Sequence, residues 1–277
     1  MTSRFQYKHP VSDEMRELIV SELRAIERRH DVTVLFACES GSRAWGFASP
    51  DSDYDVRFVY VNRLPWYLTV SPLRDVIEVP ISGELDISGW DLRKALGLLQ
   101  KSNPTLLEWL QSPIQYLHHK VAAGLVNLVP QVFSPLRGYH HYRSMAKTNF
   151  RGYLQGEIVR FKRYFYVLRP LLAARWIREG RGVPPMRFAE LANGLIPEGP
   201  LADEINALLA IKMQANESAT SARWPLIHDY IAAELDLPDD TNLSATRANT
   251  VAMNNYLHDT ILKLNQPASA NDVSVKL

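Results

Sequence analysis

The residues best placed to do chemistry are a Gly-Ser pair followed by acids at short, regular spacing. Gly41-Ser42 ends the run Glu39-Ser40-Gly41-Ser42, and after a gap of ten residues comes Asp53-Tyr54-Asp55-Val56. A third acid, Asp86, lies in Glu84-Leu85-Asp86-Ile87-Ser88 with apolar neighbours on both sides. Gly41 has no Cβ, so backbone amides there can approach a phosphate closely, and Ser42 adds a hydroxyl. On a strand, positions i and i+2 share a face, so Asp53 and Asp55 are expected to project together. Carboxylates brought together repel unless a cation or a shared proton relieves them, and hard oxygen ligands suit Mg²⁺. A pair of such ions clamps the attacking and leaving oxygens of an in-line phosphoryl-type displacement, and a third carboxylate can take the proton of the attacking hydroxyl. The expected catalytic and metal-binding set is therefore Asp53, Asp55 and Asp86.

These residues need elements to hold them. Ser12 with Asp13 and Glu14 reads as a helix start, and Met15, Leu18, Ile19, Leu23 and Ile26 recur at helical spacing over 12–29. The run Val32–Cys38 reads as a buried strand, 39–50 as a Gly- and Ser-containing loop, and Tyr54–Val61 as a second strand. On that strand Val56, Phe58 and Tyr60 share one face, and Asp55, Arg57 and Val59 the other. Val76–Val79 and Glu84–Ser88 form two short strands around a turn containing Pro80 and Gly83. Asp91 stands where a helix N-cap would fall. From there the pattern is helical: 92–100, a short helix opened by Pro104, then about 117–129, 135–155, 157–179 with a kink near Pro170, and further helices to about 264. The fold class expected is α+β: a mixed sheet with helices over residues 1–120, an all-α domain over 121–265, and a loose tail over 266–277.

Composition narrows the function classes. Lys and Arg total 31 against 30 Asp and Glu, so no global basic field advertises nucleic acid and any basic patch must be local. One cysteine, Cys38, excludes an intramolecular disulfide framework and a Cys-rich zinc site, and no disulfide-linked partner is expected. There is neither a signal-type apolar segment nor a run of 18 apolar residues, so a cytoplasmic protein without a membrane partner is expected. The spacing Asp51, Asp53, Asp55 mimics an EF-hand, but Val56 stands where Gly is needed and Asn62 where Glu is needed. Ser144-Met-Ala-Lys147 matches S-x-x-K of serine acyl-enzymes without the S-D-N and K-T-G elements that support it. The pairs His118-His119 and His140-His141 lack the i, i+4 spacing of a helical metal pair.

Gly41-Ser42, the gap of ten, Asp53-Tyr-Asp55 and Leu85-Asp86-Ile87 together resemble the signature of the polymerase β nucleotidyltransferase superfamily. The longer string G-S-R-A-W-G-F-A-S-P-D-S-D-Y-D-V-R, with KRYFYVLRPLLAARW over 162–176, resembles more narrowly the nucleotidyltransferases called RlaP, its RNA repair pathway branch. That resemblance implies a polymerase-β-type catalytic domain, Mg²⁺ or Mn²⁺ as two ions, a nucleoside triphosphate with ATP favoured, and an RNA-related acceptor. It also makes Gly41, Ser42 and Arg43 candidates for nucleotide binding, since the Arg fork suits phosphate geometry. On the 157–179 helix Lys162, Tyr166 and Arg169 fall at i, i+4 and i+7 and extend the candidate set; a solvated face is their plain alternative. Lys147 and Arg151 could extend the same patch. Trp45 is expected to pack rather than to stack on a base. Transfer to a protein or small hydroxyl compound, or nucleotide sensing without turnover, are the competing readings, and retention of all three carboxylates favours an enzyme.

Overall fold

The computed structural model describes residues 11–81, 83–216, 218–239 and 242–266. The tail expected over 266–277 lies outside them except for Gln266. Helix α1 (Asp13–His30) is capped by Ser12, whose hydroxyl accepts from the Met15 amide, with Asp13 and Glu14 in the first turn where the helix dipole favours anions. Strand β1 (Thr33–Glu39) leads into a single helical turn, α2 (Gly41–Trp45), where a loop was expected. Strand β2 (Tyr54–Val61) and the short α3 (Leu64–Tyr67) precede strands β3 (Val76–Glu78) and β4 (Leu85–Asp91). Helices α4 (Leu92–Gln100) and α5 (Pro104–Trp109) are capped by the side chains of Asp91 and Asn103.

Strand β5 (Gln115–His118) then completes a five-stranded sheet in the order β3-β4-β2-β1-β5. The pair β2–β4 is parallel and the other three are antiparallel. This is the mixed sheet expected. The residue pattern predicts a helix from about 117, whereas 115–118 pairs with β1. Four residues are too few for periodicity to decide, and their strand conformation comes from the partner.

Both faces of the sheet are covered. Val34, Ala37, Val56, Phe58, Tyr60 and Ile87 pack with Ile19, Leu23 and Ile26 of α1. Leu35, Phe36, Cys38, Val59 and Val61 face a larger cluster that continues through the helices as far as Ile261. Leu35 and Phe36, adjacent in sequence, join the same cluster because the β1–β2 register shifts between Val34 and Phe36, and a bulge lets two successive residues share a face.

The rest is mainly helical: α6 (Ala122–Val132), α7 (Pro135–Tyr153), α8 (Phe161–Arg178), α9 (Phe188–Leu195), α10 (Pro200–Gln214), α11 (Pro225–Asp236) and α12 (Thr250–Leu264). Two short strands, β6 (Ile158–Arg160) and β7 (Thr220–Ala222), pair beside them, so α8 begins later than its sequence pattern suggests. Helix α8 is buried on nearly every side, Arg169 and Pro170 included, which makes it the central helix of this half. Among the described residues no helix is long and apolar enough to cross a membrane.

Candidate nucleotidyl-transfer site

The Gly-Ser segment is fastened to the acidic strand. The Ser40 amide donates to the Asp55 carbonyl at 2.8 Å. Gly41 follows with φ +59°, a conformation that favours glycine, and it lies close against the acid: a Cβ there would lie 2.1 Å from Asp55 Oδ2. Ser42 donates to Ser52 Oγ at 3.1 Å. Arg43 is 3 % exposed; its guanidinium holds the carbonyls of Ser52 and Asp53 and lies 3.8 Å from the centre of the Tyr54 ring. It therefore clamps the backbone that delivers the acids and is not among the groups lining the cavity described below.

Asp55 and Asp86 are direct partners on the parallel strands β2 and β4. Both carboxylates converge on one nitrogen: Arg57 Nη2 donates to Asp55 Oδ1 at 2.9 Å and to Asp86 Oδ2 at 2.7 Å. Arg57 Nη1 is anchored on the carbonyls of Val56 and Asp86, each at 3.0 Å. Asp53 stands one residue ahead of the first strand residue, is exposed, and does not line the cavity. Alternation would put Asp53 on the face of Asp55 only within the strand, whereas the ladder starts at Tyr54, whose amide donates to the Glu84 carbonyl. Among the described residues no three His, Cys, Asp or Glu side chains stand together as a ready metal cluster. Two carboxylate oxygens focused on a single cationic point are nonetheless the donor chemistry a hard divalent ion takes, so the Asp55–Asp86 pair fits one.

Directly behind Asp55 lies a carboxylate that the sequence reading passes over. Glu39, the last residue of β1, is fully buried; it accepts from the Asp55 amide at 2.9 Å and from the Tyr116 hydroxyl. Burial pushes its pKa up to about 7, against those two hydrogen bonds, with the Asp55 charge adding to the rise. A lone acid closing the apolar run VTVLFAC is the only local signal of it, and Tyr116 comes from the unexpected strand β5.

Gly41 and Asp55 open onto a cavity of about 360 Å³ whose other walls come from α5, α7 and α8. Trp45, Trp109, Phe165 and Tyr166 supply aromatic surface, and Asn149 and Thr105 supply polar groups. Glu108 organises the far wall. It takes hydrogen bonds from Arg169 at 2.6 Å, from Trp45 Nε1 at 3.2 Å and from the Tyr142 hydroxyl at 3.2 Å. Arg169 is 2 % exposed and also holds the Met186 carbonyl at 3.0 and 3.1 Å. Tyr166 meets Trp45 edge-on at 5.9 Å between ring centres. The structure thus brings Gly41, Asp55, Tyr166 and Arg169 to one cavity, with Ser42 and Asp86 adjoining them. Lys162, one turn before Tyr166, is not in its lining. Met145 and Asn149 face the cavity from α7, so Lys147 and Arg151, about half a helical turn away, point elsewhere and do not extend this face.

Comparison with known proteins decides the family. Residues 15–259 match the model of the RlaP family, described as the RNA repair pathway DNA polymerase beta family. The chain belongs to the RlaP family. The match spans both the sheet and the helical half, as the resemblance in the Gly-Ser, Asp-Tyr-Asp and α8 segments implies, and it places the protein among the nucleotidyltransferases. An uncharacterized protein YcgL of Bacillus subtilis strain 168 is 48% identical to this RlaP chain over 223 residues, 80% of this chain and 86% of that protein. A crystal structure of a nucleotidyltransferase-like protein from Exiguobacterium sibiricum 255-15 aligns over 93% of this chain and 84% of that one. Its TM-score is 0.31 and its identity 10%, and it adds nothing to the assignment.

Proposed function

We propose that this RlaP protein is a metal-dependent nucleotidyltransferase that moves a nucleoside monophosphate from a triphosphate, ATP favoured, to an acceptor hydroxyl, with an RNA end as the acceptor. The observation that carries the reading is the convergence of Asp55 and Asp86 on one cationic point beside Gly41, at the edge of an aromatic-lined cavity. Asp55 and Asp86, with Asp53 from the segment just ahead of β2, would hold the Mg²⁺ or Mn²⁺ ions. Such ions supply neutralisation of the triphosphate and of the charge that develops during transfer.

The chain's own residues account for the rest. Backbone amides at Gly41 and the Ser42 hydroxyl receive the β- and γ-phosphates. Tyr166, which lines the cavity with Trp45 packed edge-on against it, gives the base an aromatic surface to stack on. The acceptor oxygen bonds to the α-phosphorus, the bond to the bridging oxygen breaks, and pyrophosphate leaves. Asp86 takes the proton of the acceptor hydroxyl. Arg57, already anchored on two carbonyls, neutralises the acidic pair and is in reach of it when charge changes there. The RNA acceptor is supported by the description of the family to which the chain belongs.

Incubation of each of the four α-labelled triphosphates with Mg²⁺ and three acceptor classes tests this: short RNAs with defined ends, the protein alone, and small polyhydroxyl compounds. Label on RNA is the expected result. Label confined to protein or to a small hydroxyl compound would overturn the acceptor, and no label on any acceptor would overturn the transferase.

A further inference from the structure

Lys212 is 2 % exposed, an unusual state for a lysine, and nothing in the transfer chemistry above uses it. It sits in the last turn of α10, where a cation suits the helix dipole, but an exposed side chain would serve that purpose equally well. Burying an ammonium is costly unless it is hydrogen-bonded, so its partners carry the explanation. Lys212 Nζ donates to Ser49 Oγ, and Ser49 Oγ donates to the Lys212 carbonyl at 3.0 Å, a reciprocal clasp between α10 and the segment after α2. The Ser49 amide donates to Ser52 Oγ at 2.9 Å, and Ser52 Oγ is the group that Ser42 reaches at 3.1 Å. Ser49 and Ser52 are themselves buried. A continuous chain therefore runs from a buried cation in the helical half, through two serines, to the hydroxyl of the Gly-Ser motif. Its first link, Lys212 to Ser49, spans 163 positions of the sequence.

The geometry points to Lys212 as a positioning residue for triphosphate binding, acting through Ser49 and Ser52 to set where Ser42 and the 49–53 segment stand. Arg43 holds the same segment from α2 by the carbonyls of Ser52 and Asp53, so its two ends are fixed by different elements. The hydroxyl pair Ser42–Ser52 can bond in either direction, since each oxygen both donates and accepts. Ser42 can thus turn its proton to a phosphate while Ser52 donates to it. On this account the phosphate-binding loop is complete only when α10 is docked, so the helical half takes part in nucleotide binding without touching the nucleotide. The inference rests on the reading that Ser42 meets the triphosphate.

The test is a double-mutant cycle on the full chain. Binding of N-methylanthraniloyl-ATP with Mg²⁺ is measured for wild type, Lys212→Met, Ser52→Ala and the double variant, with thermal melting alongside. Lys212→Met is expected to weaken binding about tenfold, the size of one lost charge-assisted hydrogen bond, and Ser52→Ala, which breaks the same chain at a later link, by a similar factor. The double variant is expected to lose about tenfold as well, because both substitutions break one chain. Steady-state transfer should show the loss in KM with kcat little changed. If Lys212→Met does not fold, Ser49→Ala removes the clasp in its place. Binding by Lys212→Met equal to wild type, or a double variant weakened by the product of the two single losses, would overturn the inference while leaving the transferase reading intact. No binding by wild type would overturn that reading, and the inference with it.

Discussion

Gly41→Ala separates the geometry of the site from the stability of the fold. The new Cβ would sit 2.1 Å from Asp55 Oδ2 and 3.0 Å from its Cγ, so the carboxylate has to retreat by more than an ångström. Asp55 is partly exposed and its end can swing, which makes the clash itself cheap in stability. The backbone is the firmer constraint: φ at Gly41 is +59°, and placing an L side chain in that region costs about 1–2 kcal/mol. For a chain of this size that lowers the melting temperature by about 2–8 °C. Activity should respond far more strongly, because a misplacement of about 1 Å at a reacting group costs on the order of 100-fold. The assays are thermal melting and transfer of α-labelled nucleotide, with metal binding followed by Mn²⁺ titration. A Gly41→Ala variant that keeps transfer within a few-fold of wild type would refute the claim that Gly41 exists to admit the Asp55 carboxylate.

Three further outcomes follow from the same contacts. Arg57 satisfies Asp55 and Asp86 at once, so it competes with an added cation; Arg57→Gln should bind Mn²⁺ about tenfold more tightly without nucleotide, read as a larger melting shift, and weaker binding would show that Arg57 instead supports the site. Glu39 has a folded pKa raised to about 7, so the native state holds its proton more firmly and wild-type stability falls as pH rises from about 4.5 to about 7. In chelator, the stability of Glu39→Gln relative to wild type should therefore rise by about 3 kcal/mol across that window, and a flat difference would contradict the burial argument. Glu108→Gln breaks a buried pair with Arg169 and should cost about 3–5 kcal/mol in urea unfolding, and Glu108→Met with Arg169→Met should recover only part of it, because the Tyr142 hydroxyl and the Met186 carbonyl lose their partners; a loss of less than 1 kcal/mol for Glu108→Gln would mean that the pair is relaxed by rearrangement.

What the sequence made legible is what is local or periodic. The Ser12 and Asp91 caps, the alternation of Val56, Phe58 and Tyr60, and the apolar flanks of Asp86 all depend on near neighbours, and the elements form there. The parallel pairing of β2 with β4, which sets Asp55 opposite Asp86, is a tertiary fact that only the spacing of the family motif foreshadows. Asp53 shows the limit of alternation, which places a side chain only once the strand has begun. Glu39, Glu108 and Lys212 were invisible for another reason. Each is a lone charged residue in an ordinary context whose meaning comes from a distant partner: Tyr116 for Glu39, Arg169 for Glu108 and Ser49 for Lys212. Burial of such groups cannot be read from one segment. Arg43 illustrates the converse: its position in the motif suggests phosphate, yet its fork is spent on two backbone carbonyls.

The central claim is that Asp55 and Asp86 form the acidic heart of a metal-dependent transfer site. Its most direct test compares label transfer from α-labelled ATP to a short RNA by wild type, Asp55→Asn and Asp86→Asn, each with Mg²⁺ and with chelator. The account predicts label only for wild type with Mg²⁺, with both variants folded and inactive; transfer that survives in either variant, or in chelator, would contradict it.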